Sequence, residues 1–407
     1  MSNSLSSKKM DRRTMIGAAL AGVATVQTAF GNVFQKVVSI PFDDPTKKQG
    51  TPSGILGTRS PFEKVLKKPS DISSRTPLQD LVGSITPSDL HFERNHAGVP
   101  AIDPDKYELL IHGMVERPVI FTLKDLKKFP AVSRVFFLEC SGNYRTGKEE
   151  LTPQEICGLT SQSEWTGVML STLLREVKVK PKATWFLAEG SDAAVMTRSI
   201  PLNKGLDDGM IAYGQNGEAI RPEQGYPARL VLPGWEGNMS VKWIRRIELS
   251  DGPFMTREET SKYTESIGKG KVRQFSFTMD ARSIITYPTY PRQIERGWIE
   301  IRGLAWSGRG KISKVEVSVD GGKRWLTAKL QEPVLDKAHT IFRHLWNWDG
   351  KETEIMSRAY DETGYCQPTF QQLSDARGGS KGGYHFNPVV TWRLKPDGQV
   401  LLKPDRT

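Results

Sequence analysis

Beyond about residue 275 the hydrophobic pattern has period two. Trp298-Ile299-Glu300-Ile301-Arg302 and Val315-Glu316-Val317-Ser318-Val319 alternate apolar and polar residues, and Asp320-Gly321-Gly322 follows as a hairpin turn before Trp325. Successive side chains of a strand point to opposite faces, so these segments specify half-buried sheet and not helix. Further strands are expected at 342–348 and 354–360, and together they predict an immunoglobulin-like β-sandwich over 275–407. Residues 303–309 come close to a G-x-x-x-x-G-K phosphate loop, but Arg309 stands where lysine is needed and the segment lies among strands.

Upstream the signals are mixed. Residues 107–111 read as a strand, and Thr122 with Asp125 three residues on forms a capping box for a short helix that Pro130 stops. The apolar run 135–138 predicts a buried strand that delivers Glu139-Cys140-Ser141-Gly142-Asn143 at its end. Leu170, Leu173, Leu174 and Val177 recur at i, i+3, i+4 and i+7, which predicts an amphipathic helix over 167–177. With strands at 184–187 and 228–232, residues 89–260 are expected to form a mixed α/β domain. A polar connector, 251–274, leads from it to the sandwich. The fold class is therefore α+β. Residues 33–88, rich in Pro, Ser and Lys, read as an extended N-terminal arm.

The chain has 407 residues, 37% of them hydrophobic, enough to fill two cores. Its three cysteines, Cys140, Cys157 and Cys366, cannot build a disulfide framework, and their spacing fits neither a zinc site nor C-x-x-C-H haem attachment. No haem is expected in this chain. The formal charge is +11, but the first 48 residues alone hold seven basic against three acidic side chains. Elsewhere the arginines sit singly among Gly, Pro and acidic residues, which favours small anions or an acidic protein over nucleic acid.

Residues 1–32 read as an export signal. Arg12-Arg13 precede an uncharged run, 17–30, of mostly small apolar residues. Gly17, Gly22, Thr25, Gln27 and Thr28 make that run too short and too polar for a membrane anchor, so no stable span is expected in the mature chain. The adjacent arginines resemble a twin-arginine signal, which exports folded cargo to the periplasm. Such a route suits a protein whose cofactor is inserted before export.

Cys140 is the most informative single residue. A thiol at the end of a buried strand, followed by small residues, sits where a cofactor can approach the backbone closely. Three readings stand open on the residues alone: a packed inert thiol, a nucleophile, or the one thiolate of a metal site whose other ligands come from a cofactor.

From Leu90 to the C-terminus the chain resembles the sulfite oxidase family of molybdenum enzymes. Four segments carry the resemblance: Phe92-Glu93-Arg94-Asn95-His96 with Pro100; Leu138-Glu139-Cys140-Ser141-Gly142-Asn143-Tyr144-Arg145; Ala212-Tyr213-Gly214-Gln215-Asn216-Gly217 running on to Gly225-Tyr226-Pro227-Ala228-Arg229; and Leu232-Pro233-Gly234-Trp235 with Val241-Lys242-Trp243. Ser163-Glu164-Trp165-Thr166-Gly167-Val168 and Pro233-Gly234-Trp235-Glu236-Gly237-Asn238 look most like the molybdenum subunit of its sulfane dehydrogenase branch.

The resemblance implies a molybdenum-molybdopterin cofactor with Cys140 as the protein ligand, a soft thiolate suited to a metal in a sulfur-rich setting. It implies a molybdopterin-binding domain followed by a dimerisation sandwich. It assigns anion contacts to Arg94, Arg145 and Arg377, and matches Tyr213 to the active-site tyrosine. By the same resemblance the pterin and its phosphate are held by Phe92, Arg94, Asn95, His96, Asp192, Gln224, Arg229, Ser240, Val241 and Lys242. Gln224 departs from the pattern, since histidine is common there, and an amide cannot ionise. Cys157 and Cys366 match no ligand position.

The implied activity is oxidation of a reduced sulfur centre, protein-bound sulfane or sulfite, by oxygen-atom transfer, with electrons leaving to a cytochrome c subunit. The partners implied are that cytochrome, an anionic sulfur substrate that a carrier protein can present, and a second copy of the chain, giving a homodimer or a heterotetramer with the cytochrome. The alternatives are a plain sulfite dehydrogenase, nitrate reduction on the same scaffold, and a non-catalytic exported anion-binding module.

Overall fold

In a computed structural model the chain divides into two units, residues 1–63 and 64–407. Residues 52–380 and 383–405 are described; the export signal expected at 1–32 and the start of the arm lie outside them. Residues 52–63 are solvent-exposed and hold no helix or strand. Among the described residues no helix is long and apolar enough to cross a membrane.

Within the second unit, two sheets carry the mixed region. One is antiparallel and runs in the order Glu218–Ala219, Met210–Gln215, Thr160–Met169, Val132–Glu139, with Arg229–Val231 also paired to Met210–Gln215. The other runs Val119–Thr122, Glu108–Gly113, Ile244–Ser250, Trp185–Gly190, Thr197–Pro201, with Glu108–Gly113 parallel to Ile244–Ser250 and its other pairs antiparallel. The capping box forms as expected, Thr122 accepting from Asp125 N while the Asp125 carboxylate accepts from Thr122 N. Helix Leu170–Val177 buries the four residues that its periodicity marked. Each such side chain contributes about 1.5–3 kcal/mol when fully removed from water.

The sandwich packs a four-stranded sheet, Arg282–Tyr287, Gly297–Trp306, Thr340–Trp348, Lys329–Leu330, against a five-stranded one, Leu326–Thr327, Ile312–Ser318, Thr353–Asp361, Thr391–Leu394, Val400–Lys403. Alternation decides the inner face: Ile299, Ile301, Val315 and Val317 are buried between the sheets, whereas Trp298 stays exposed. The strands expected at 342–348 and 354–360 fall within Thr340–Trp348 and Thr353–Asp361.

Strand Val132–Glu139 is the hinge of the architecture, because its two faces serve different neighbours. Phe137 joins the sandwich core, while Phe136, Leu138 and, one step beyond the strand, Cys140 pack in a separate small cluster with Phe92 and Trp165. A continuous apolar run is what a strand covered on both faces requires.

Two segments differ from the sequence reading. The arm does not simply run over the surface: Leu78 is buried, Thr76 Oγ1 meets Ser161 Oγ at 2.6 Å, and Thr86 N donates to Gln162 O at 2.8 Å. The polar connector is structured too, with a π-helical turn at Glu258–Lys262 and a strand pair Glu265–Ser266 with Val272–Arg273. Its carboxylates Glu258, Glu259 and Glu265 are buried. Arg198, itself buried, holds Glu259 through Nε at 2.7 Å and Nη2 at 3.2 Å, and Arg273 is bonded to Glu265. Polar composition predicts exposure only when the polar groups lack partners.

Candidate cofactor site

Where the mixed region's strand ends meet, a cavity opens beside Cys140. Strand Val132–Glu139 delivers the cysteine, and the following turn fixes it: Cys140 N donates to Leu159 O at 2.9 Å and Asn143 N donates to Cys140 O at 3.0 Å. Beside it Gly237 approaches the backbone so closely that a Cβ there would lie 2.8 Å from Glu139 O. Burial pushes the Cys140 thiol above its ordinary pKa, against the Gly142 N–H and the Arg94 charge. A metal cation reverses that balance, because a coordinating thiol is deprotonated outright.

The opposite wall is cationic. Arg229 donates from Nη1 to Gln224 O at 2.9 Å and from Nη2 to Ser240 O at 2.8 Å, while its buried Nε has no partner among the described residues. Burial pulls its pKa down to about 9. Lys242 donates to Glu223 O at 2.9 Å and is bonded to Asn95 Oδ1. Burial, with the Arg229 charge adding to it, brings the Lys242 ammonium down to about 7. Arg94 and His96 also line the cavity, and burial lowers His96 as well. One carboxylate, Asp192, faces them, its Oδ1 accepting from Met196 N at 2.9 Å. Buried cations held close together, one with an unused donor, form a seat for an anion with several acceptor oxygens, such as a phosphate monoester.

Of the residues expected at the site, Phe92, Arg94, Asn95, His96, Cys140, Asp192, Gln224, Arg229, Ser240, Val241 and Lys242 line this one cavity. Three do not. Arg145 is exposed, its backbone N bonded to Ile156 O. Arg377 is buried after helix Phe370–Ala376, with its fork on Tyr384 O at 2.6 Å and His385 O at 2.8 Å. Tyr213 packs on the other side of its strand. Met210 and Ala212 face the cluster that holds Cys140, so Ile211 and Tyr213 face the opposite core, where Lys127 lies over the tyrosine ring at 5.9 Å.

Sequence reasoning missed Tyr263, which also lines the cavity. Its hydroxyl lies 3.0 Å from His96 Nε2, its ring receives Arg198 at 4.6 Å, and Tyr384 packs beside it at 5.2 Å. Burial, with Cys140 and Glu236 nearby, raises its pKa, so the hydroxyl keeps its proton. Its only signal was an aromatic residue inside a segment read as connector. His91, Leu138, Met196, Asn238 and Trp243 were missed as well. Among the described residues no group of three or more His, Cys, Asp or Glu is placed to hold a metal ion. Cys140 offers a single thiolate.

Comparison with known proteins agrees with this donor set. The family description "Oxidoreductase molybdopterin binding domain" matches residues 96–258, and "Mo-co oxidoreductase dimerisation domain" matches residues 273–391. Sulfite oxidase of Gallus gallus is 30% identical over 317 residues, covering 70% of this chain and 68% of that protein. The NADH nitrate reductase of Ulva prolifera is 31% identical over 385 residues, covering 81% of this chain and 43% of that protein. Against that enzyme and the sulfite oxidases of Rattus norvegicus, Drosophila melanogaster and Mus musculus, the chain spans 43% to 61% of their length. The chain belongs to the sulfite oxidase family of molybdopterin oxidoreductases, whose cofactor is molybdenum carried by molybdopterin. Within that class, the crystal structure of the sulfane dehydrogenase SoxCD from Paracoccus pantotrophus superposes with a TM-score of 0.81 at 41% identity, covering 89% of this chain and 99% of that one.

Proposed function

We propose that this protein is an exported, periplasmic molybdenum oxidoreductase that oxidises an anionic reduced sulfur substrate, sulfite or a protein-bound sulfane sulfur, and passes the electrons to a cytochrome c subunit. The observation that carries the reading is the pairing of one thiol, Cys140, with a buried cationic wall in a single cavity. The residues fit the cofactor: Cys140 would ligate molybdenum, and Arg229, Ser240 and Lys242 would hold the phosphate, with Asn95, His96, Asp192 and Gln224 around the pterin. When bound, that cofactor supplies two-electron oxygen-atom transfer.

The chain's own groups do the rest. Arg94 lines the cavity and bonds Asn95 O through Nη1 at 2.6 Å, and among the described residues the rest of its fork makes no other hydrogen bond, so it can meet an oxyanion. Of the three arginines expected for the substrate, it is the one we assign to that contact. Tyr263 keeps its proton at the hydroxyl, which lies 3.0 Å from His96 Nε2, and this contact orients the imidazole at the cavity wall. The charges of Arg94 and Lys242 draw anions in, and the buried walls strengthen that attraction by excluding water. The similarity to sulfane dehydrogenase SoxCD supports a sulfur substrate and a second subunit, and the dimerisation-type sandwich supports a second copy of this chain.

The test is elemental analysis of the purified protein followed by steady-state assays with sulfite and with thiosulfate-loaded carrier protein, each with cytochrome c as acceptor. One molybdenum per chain and turnover with either sulfur substrate is the expected result. A metal-free protein that binds sulfite without oxidising it would make it an anion-binding module instead, and turnover with nitrate alone would reverse the direction of the chemistry.

A further inference from the structure

His91 sits one residue before the stretch that sequence reasoning marked for the cofactor, yet it lines the same cavity and is only 1% exposed. Its ring is fixed. It stacks on Phe92 with centroids 5.2 Å apart and planes 20° off parallel, and meets Trp165 edge-on at 5.8 Å. Nδ1 lies 3.1 Å from Phe92 O. A carbonyl oxygen can only accept, so Nδ1 carries the hydrogen. Gln224 Nε2 donates to the same oxygen at 2.8 Å, which anchors the acceptor from a second side.

The other ring nitrogen has nothing to do. Nε2 is buried and has no hydrogen-bond partner among the described residues. Burial, reinforced by the charges of Arg229, Lys242 and Lys67 against the opposing hydrogen bond to Phe92, brings the His91 pKa down to about 3, so the ring is neutral. Neutral imidazole with hydrogen on Nδ1 presents a bare lone pair at Nε2. A buried acceptor left unpaired destabilises the protein, and such a group calls for a partner.

The rest of the cavity explains which partner. Its wall is rich in donors, Arg94, Arg229 and Lys242 among them, which suit phosphate and carbonyl oxygens but cannot receive an N–H. Molybdopterin carries ring and exocyclic N–H groups that need acceptors. We infer that His91 Nε2 is a hydrogen-bond acceptor for an N–H group of the bound pterin, and so helps to orient the ring system in the cavity. This rests on the seating of the cofactor proposed above.

Three variants test it: His91→Phe, His91→Gln and Arg229→Gln. The readouts are pterin bound per chain, from the fluorescence of the oxidised pterin after release, the affinity of the apoprotein for molybdopterin, and thermal unfolding with and without pterin. His91→Phe should weaken pterin binding about tenfold, the effect of leaving one N–H without its acceptor. The same variant should leave the melting temperature of the apoprotein equal or higher, since it removes an unpaired polar atom. His91→Gln, whose amide oxygen can accept, should recover much of the affinity. If His91→Phe binds pterin within twofold of the parent while Arg229→Gln has lost it, the inference fails and the seating stands. If Arg229→Gln also binds as before, the seating itself fails and the inference with it. Should the phenyl ring destabilise the apoprotein, His91→Leu against His91→Gln gives the same comparison, and equal affinities overturn the inference.

Discussion

Glu139 and Arg282 form a buried ion pair at 2.7 Å, one residue before Cys140 and across the line between the two family segments. Both side chains are almost fully buried, at 1% and 3%. Glu139 also accepts from Trp306 Nε1 at 2.7 Å and from Asn143 Nδ2 at 3.0 Å, so its lone pairs are well used. Arg282 is bonded in turn to Asn143 O and Phe386 O. The cysteine turn is thus bolted to the sandwich through one carboxylate.

Glu139→Gln should therefore be severe, because it leaves the Arg282 charge buried without its counter-charge, a loss of about 3–5 kcal/mol. Chemical denaturation of the variant beside Glu139→Gln with Arg282→Met checks this. The double variant should lose less than the sum of the two single changes, and additive losses would mean that the pair is not coupled.

Cys140→Ser separates metal from pterin. A hard hydroxyl is a poor substitute for a soft thiolate, so turnover should vanish. The contacts of Arg229 and Lys242 are untouched, so released-pterin fluorescence should stay close to the parent value. Full turnover in this variant would remove Cys140 from the site.

The difference between what could and could not be read in the sequence follows the range of the interactions. The helix expected over 167–177 and the alternating strands of the sandwich are local patterns, and they form close to where the periodicity placed them, the helix at Leu170–Val177 with 167–169 ending the strand before it. Cys140 and the Phe92–His96 stretch were legible because each lies in a contiguous motif of the family resemblance, although the groups that hold them, Leu159, Gln224, Lys242 and Tyr263, are distant in the chain. Tyr213 lies outside the lining of the cavity because a motif names residues and not faces: Ala212 packs in the cluster with Cys140, and Tyr213 packs against the other core, at a register shift in the strand. Tyr263 was invisible for the converse reason. Its partners His96, Arg198 and Tyr384 come from distant parts of the sequence, and nothing local marks a connector as the wall of a cavity.

Arg377 illustrates the same limit and carries its own prediction. Its guanidinium grips two backbone carbonyls, Tyr384 O and His385 O, and His385 N donates to Ser141 O at 2.8 Å beside the cysteine. It acts on the site by holding that loop. Arg377→Gln should destabilise the protein by about 1.5–3 kcal/mol for each charged hydrogen bond lost. Arg377→Lys should not restore it, because an ammonium cannot span both carbonyls as the planar fork does. A substrate-contact role would instead show as a raised KM with unchanged melting temperature.

For the export route, Arg12→Lys with Arg13→Lys should keep the protein in the cytoplasm, since a receptor-read signal depends on those side chains whereas a general hydrophobic signal tolerates lysine. Cell fractionation checks it. Normal periplasmic yield would point to ordinary secretion.

Lys242 gives the cavity a pH dependence whose sign is fixed. Burial first, then the Arg229 charge, lowers its pKa from the ordinary lysine value to about 7 in the empty cavity. Below that pH the ammonium is charged and an anion gains a full partner; above it the site must take up a proton before it can offer one. Affinity of the apoprotein for molybdopterin should therefore fall between about pH 6 and pH 9, and calorimetry in buffers of different ionisation enthalpy should show proton uptake on binding in the upper part of that range. Lys242→Met should bind more weakly at every pH and lose most of the slope. A slope that survives the substitution would place the titrating group elsewhere, with Arg229, which burial brings down to about 9, the next to test.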